Sequence, residues 1–161
     1  MELRAALVPN EPDPERRAEL KRRILEIEKV LERGEDASAL IEAFNHDTGR
    51  SHDARFFLEY WRSRDLEDVV DEACQPRPGR VPDITRAELV EIVRRAMPTQ
   101  PRFEPRYESF YRELFEANVP RPHAASLIHN PPDPRRHGIV DWAPSPEEVV
   151  ELALAYRPIQ L

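Results

Sequence analysis

The stretch that decides the fold is ITRAELVEIVRRAM (84–97), followed by PRYESFYRELFEANVPRPHAASLIHNPP (105–132) and SPEEVVELAL (145–154). Thr85 and Glu88 have the spacing of a capping box, and Ile84 and Leu89 that of a hydrophobic staple. A helix therefore opens at Thr85 and carries Leu89, Ile92 and Val93 on one face to about Met97. Pro105 suits a first helical position, and Tyr107, Phe110, Tyr111, Leu114 and Phe115 form the apolar stripe of a second helix reaching about Ala117. Pro120 and Pro122 stop the chain again, leaving AASLI room for about one or two helical turns. Ser145 and Glu148 repeat the capping-box spacing with Pro146 in the first turn, so a last helix buries Val149, Val150, Leu152 and Leu154. Between Asn130 and Pro144 the prolines and the paired arginines read as an exposed loop.

Helical signals continue toward the N-terminus. Asp13, Pro14 and Glu15 precede Leu20, Ile24, Ile27 and Leu31, the near-heptad face of a long amphipathic helix ending near Gly34. That spacing fits a packing helix or the seam of a homodimer equally. Asp36 caps a second helix with Leu40, Ile41 and Phe44, broken by Asn45-His46-Asp47-Thr48-Gly49. Ser51 opens a third, in which FFLEYW (56–61) anchors a compact helical unit, and Asp65 starts a fourth with Leu66, Val69 and Val70. No helix crosses QPRPGRVP (75–82). The expected organisation is an all-α protein of two small helical units: an N-terminal helical region 1–76, a proline-rich linker 77–83 and a four-helix bundle 84–161.

Composition narrows the function classes. With 161 residues, 40% hydrophobic and 34% charged, the chain can build one ordinary core or two small ones whose helices face water on one side. Residues 1–83 carry 20 acidic and 14 basic side chains, residues 84–161 carry 11 and 10, and the net charge is −7. That balance argues against binding a nucleic-acid backbone. One cysteine, no N-terminal apolar segment and no long apolar run point to a cytoplasmic protein that does not engage a membrane.

The order and spacing of the helix at Thr85, the longer second helix, PRPHAASLIHNPP and SPEEVV resemble the colicin and pyocin immunity proteins, small four-helix inhibitors of a cognate toxin. The resemblance covers residues 84 to about 157 and leaves the first 83 outside. It implies that the second helix and the 120–131 turn bind a cognate toxin domain, through Glu108, Arg112, Glu113, Glu116, Ser126, His129 and Asn130, without a cofactor. Where the family carries an aspartate before the Leu-Ile pair and two tyrosines after it, this chain has Ser126, His129 and Asn130. The absent aromatic anchors imply a different toxin class or a different binding surface.

Two other classes compete. A bundle that has lost toxin binding would serve as an adaptor or oligomerisation protein. A metal-dependent hydrolase would use His46-Asp47 and His52-Asp53, but neighbouring residues on a helix point about 100° apart and chelate one ion poorly. Cys74 has no histidine close by, and there is no GxSxG, P-loop or GxGxxG. An enzyme is not expected.

Overall fold

The computed structural model describes residues 1–129 and 144–159. They form eight α-helices: α1 (Pro14–Glu32), α2 (Ser38–Thr48), α3 (Ala54–Glu59), α4 (Leu66–Cys74), α5 (Arg86–Ala96), α6 (Glu108–Ala117), α7 (Ser126–His129) and α8 (Pro146–Leu154). The protein is all-α, with no strand among the described residues. No described helix is long and apolar enough to cross a membrane. Two units emerge, Pro9–Arg77 and a second made of Met1–Val8 together with Pro78–Leu161. The first is therefore inserted into the second. Sequence reading assigns Met1–Val8 to the N-terminal region and 78–83 to a linker, whereas in the structure both belong with the C-terminal helices.

In the inserted unit α1 is the spine, because Leu20, Ile24 and Ile27 recur at helical spacing and are all buried. Helices α2, α3 and α4 each pack on it. They contribute Ile41, Phe44, Phe57, Val69 and Val70 to the shared core, with the Phe57 ring edge-on to Phe44 at 5.6 Å. Helix α2 does not break at Asn45. The Thr48 hydroxyl donates to Phe44 O at 2.7 Å inside the helix, and the chain turns only at Gly49, which takes the left-handed φ of 68°. Helix α3 starts at Ala54 rather than Ser51, since the Asp53 carboxylate accepts the Phe56 N–H at 2.9 Å. Of FFLEYW only Phe57 and Tyr60 are core, while Leu58 and Trp61 are exposed.

The unit's incoming and outgoing strands are tied to each other. The buried Gln75 amide accepts the Asn10 N–H at 3.2 Å and donates to Asn10 O at 2.6 Å. Arg50, also buried, donates to the carbonyls of Glu72 and Gln75 at 3.0 and 3.3 Å, which closes the end of α4.

In the other unit α6 and α8 pack on α5, and α7 rests on α8. Both capping boxes are present: Thr85 Oγ1 accepts the Glu88 N–H and Ser145 Oγ accepts the Glu148 N–H, with the reciprocal backbone bonds returned to each glutamate at 2.8 Å. The hydrogen bond from Thr85 N–H outweighs burial and, with Arg4 beside it, holds the Glu88 carboxyl below the usual carboxylate range. Leu89, Ile92, Val93, Tyr111, Leu114, Phe115, Leu127, Val149 and Val150 form the core. Leu3 and Leu7 enter the same core from Met1–Val8. Asn118 orders the proline-rich stretch, accepting the Val81 N–H at 2.7 Å and donating to Gly79 O at 3.2 Å.

A charged network lies beneath. Glu91, fully buried, faces Arg95 at 3.2 Å and Arg102 at 3.1 Å. Arg95 donates onward to Glu104 at 3.0 Å and to the Tyr111 hydroxyl at 3.2 Å, and burial raises the Tyr111 pKa. Arg102 reaches Met1 O at 2.8 Å and Glu2 at 2.9 Å.

Because Leu7 is fully buried in the core of α5 to α8, Leu7→Ala is expected to cost about 2–5 kcal/mol. Hydrogen exchange should show the loss in α5, α6 and α8 and leave α1 and α4 as protected as before; equal loss in both sets would contradict this assignment.

Candidate protein-binding site

Helix α6 turns Tyr111, Leu114 and Phe115 into the core, with Tyr107 and Phe110 partly buried at its start. Its other side carries Glu108, Arg112, Glu113 and Glu116, all half-buried. Glu108 stands in the first turn, where the helix dipole favours a carboxylate. Arg112 lies one turn on, 3.7 Å away, as an i,i+4 pair.

Beyond α6 the proline-flanked turn returns to the same face. Ala124, Leu127 and Ile128 are buried, which plants the one-turn α7 on the core. Glu116 locks it from below, its Oε2 accepting the Ala125 N–H at 3.2 Å. His129 then sits with Nε2 3.5 Å from Glu108 Oε1. Glu108, Arg112 and His129 thus form one partly exposed patch across α6 and α7.

The remaining residues named by the resemblance divide. Glu116 is spent on holding the turn. Ser126 is exposed, but its hydroxyl donates to His123 O at 2.8 Å, the role of a local cap. Glu113 is half-buried on the same helix. Asn130 lies outside the described residues. His123, whose carbonyl organises the turn, holds a left-handed φ of 54°, a strained value for a side chain of this kind.

The His-Asp pairs do not assemble. Asp47 binds Arg16 at 2.8 Å and Arg23 at 2.6 Å, and these bonds overcome burial to keep its pKa low. Asp53 caps α3. His52 stacks on Phe56 with ring centroids 3.6 Å apart, and Asn45 brackets its backbone through the His52 N–H and carbonyl. His46 is exposed on α2. Among the described residues no group of three His, Cys, Asp or Glu side chains is placed to hold a metal ion. What sequence reading missed is the buried Glu91 network; its one signal was the i,i+4 spacing of Glu91 and Arg95.

Comparison with known protein families, with curated proteins and with solved structures finds no match for this chain.

Two expectations separate holding from binding. Glu116→Ala removes the partner of the Ala125 N–H and should lower stability by about 1–3 kcal/mol. Glu108→Ala should change it by less than about 0.5 kcal/mol in a thermal melt. For His52, desolvation lowers the folded-state pKa below its ordinary value, with Glu72 opposing. The folded protein then binds fewer protons at this site than the unfolded chain. Its contribution is full above the ordinary histidine pKa of about 6.5 and is lost as pH falls toward the lowered value. Melts of wild type and His52→Phe from neutral to mildly acidic pH should diverge, the wild type losing more; parallel curves would contradict this.

Proposed function

We propose that the chain is an immunity-type inhibitor that binds a cognate toxin domain and neutralises it by occlusion, needing no cofactor. The observation that carries the reading is the way α7 is fixed to α6. Leu127 and Ile128 are buried, Glu116 ties the turn from the other side, and Glu108, Arg112 and His129 are left as a partly exposed polar patch on a rigid base. Contacts held in place before binding lose little entropy on association, which is what an inhibitor working by surface complementarity needs. The order of helices that resembles the immunity proteins places the contact surface on the same two elements. In this reading Glu108, Arg112, Glu113 and His129 are the contact residues, and Glu116 and Ser126 shape the turn. The patch mixes signs, so it selects a partner whose charges alternate in the same register rather than a uniformly basic one.

The test is a calorimetric titration of the full chain with the toxin domain encoded nearest to it, alongside an assay of that toxin's activity. Nanomolar or tighter binding that blocks the toxin is expected. Alanine at Glu108, Arg112 or His129 should weaken binding by about tenfold or more with an unchanged melting temperature. Unchanged affinity in all three variants would remove this surface, and absence of binding would remove the reading.

A further inference from the structure

The inserted unit carries a surface that its own fold does not require. Leu58 is 43% exposed and Trp61 65% exposed, the largest apolar side chains left in water between Pro9 and Arg77. Tryptophan is rarely left so open, and this one is not there for a hydrogen bond to water. Its Nε1–H donates to Leu58 O at 2.7 Å, within its own turn. That bond uses the only polar atom of the indole and fixes the ring. The Arg62 guanidinium lies 5.6 Å from the ring centroid and restrains it further.

The charges beside the ring are unbalanced. Arg55 and Arg62 have side chains 80% and 64% exposed, and one carboxylate, Glu59, serves both, at 2.8 Å and 3.7 Å. One positive charge is left over next to the indole. Over Pro9–Arg77 as a whole acids outnumber bases, 18 to 12. A positive, apolar spot on an acidic unit has the composition of a binding centre, in which tryptophan and arginine dominate.

We propose that Leu58 and Trp61, flanked by Arg55 and Arg62, dock an acidic protein segment that lays an apolar side chain on the indole and carboxylates on the two arginines. A second copy of this chain is the wrong occupant. A two-fold axis through the patch would set arginines against arginines. Two side chains also offer a small part of the roughly 800 Å² per partner that a stable interface buries. A short segment needs less area, and a preorganised ring lowers the cost of ordering it. The proposal does not rest on the toxin-binding reading, whose surface lies on other residues.

The experiment is selection of a random 12-residue peptide display library on the full chain, with depletion on Trp61→Ala protein, followed by fluorescence titration of the recovered peptides. Peptides combining Asp or Glu with an apolar residue are expected. Their affinity should fall at least tenfold in Trp61→Ala and in Arg62→Glu, and should weaken as salt rises. Melting temperatures of both variants should match wild type, and Arg62→Glu keeps the test valid if Trp61→Ala does not fold. Recovery of no Trp61-dependent peptide, or of basic or uncharged ones, would overturn the proposal. So would a concentration-dependent doubling of mass abolished by Trp61→Ala, or binding of Trp61 to phosphatidylglycerol vesicles in preference to the peptides.

Discussion

A carboxylate without access to water must be surrounded by donors or it will not stay ionised, and Glu91 imposes that condition on the unit built around α5. Arg95 answers it from one turn further along the helix, and Arg102 from the segment that leads to α6. Each arginine then has charge to spare. Arg95 spends it on Glu104 and Tyr111, so the start of α6 is held at a set depth against α5. Arg102 spends it on Met1 and Glu2, which helps keep Leu3 and Leu7 in the core. Removing one member of such a set leaves the others buried and uncompensated, so the network selects this arrangement of α5, α6 and the first residues more than it adds net stability.

The polar patch on α6 depends on that depth. With Tyr111 fixed from inside, Glu108 and Arg112 come out on the opposite side, and the short α7 closes over them through Glu116. The proposed contacts therefore rest on a buried ion network at one end and a single backbone hydrogen bond at the other. Neither support is part of the surface itself.

How legible was this in the sequence? The helices announced by reciprocal caps, Thr85 with Glu88 and Ser145 with Glu148, begin where those residues stand, because the cap is a local interaction between neighbours. The end of α2 was misplaced by the run Asn45–Gly49. Polar residues there suggested a break, but Thr48 bonds back into the helix and Asn45 reaches forward to His52, a partner seven positions away. Trp61 was read as core since aromatic residues usually are; facing direction in a segment of six residues followed by a 3₁₀ turn is set by packing, not by periodicity. The α6 residues were found, but their division into holders and contacts was not. Whether Glu116 meets a solvent molecule or the Ala125 amide depends on where a proline-bounded turn lands.

The insertion of Pro9–Arg77 between Val8 and Pro78 also sets an order of events during synthesis. Leu3 and Leu7 leave the ribosome some eighty residues ahead of α5 and still further ahead of α8, so they must wait exposed. Meanwhile every partner in the core of α1 to α4 is already available, and that unit can close as a nascent chain. Its Asn10–Gln75 bond brings the outgoing strand back beside the incoming one. The late helices thus meet the waiting leucines across a loop already shortened by folding, rather than across nearly seventy residues of open chain.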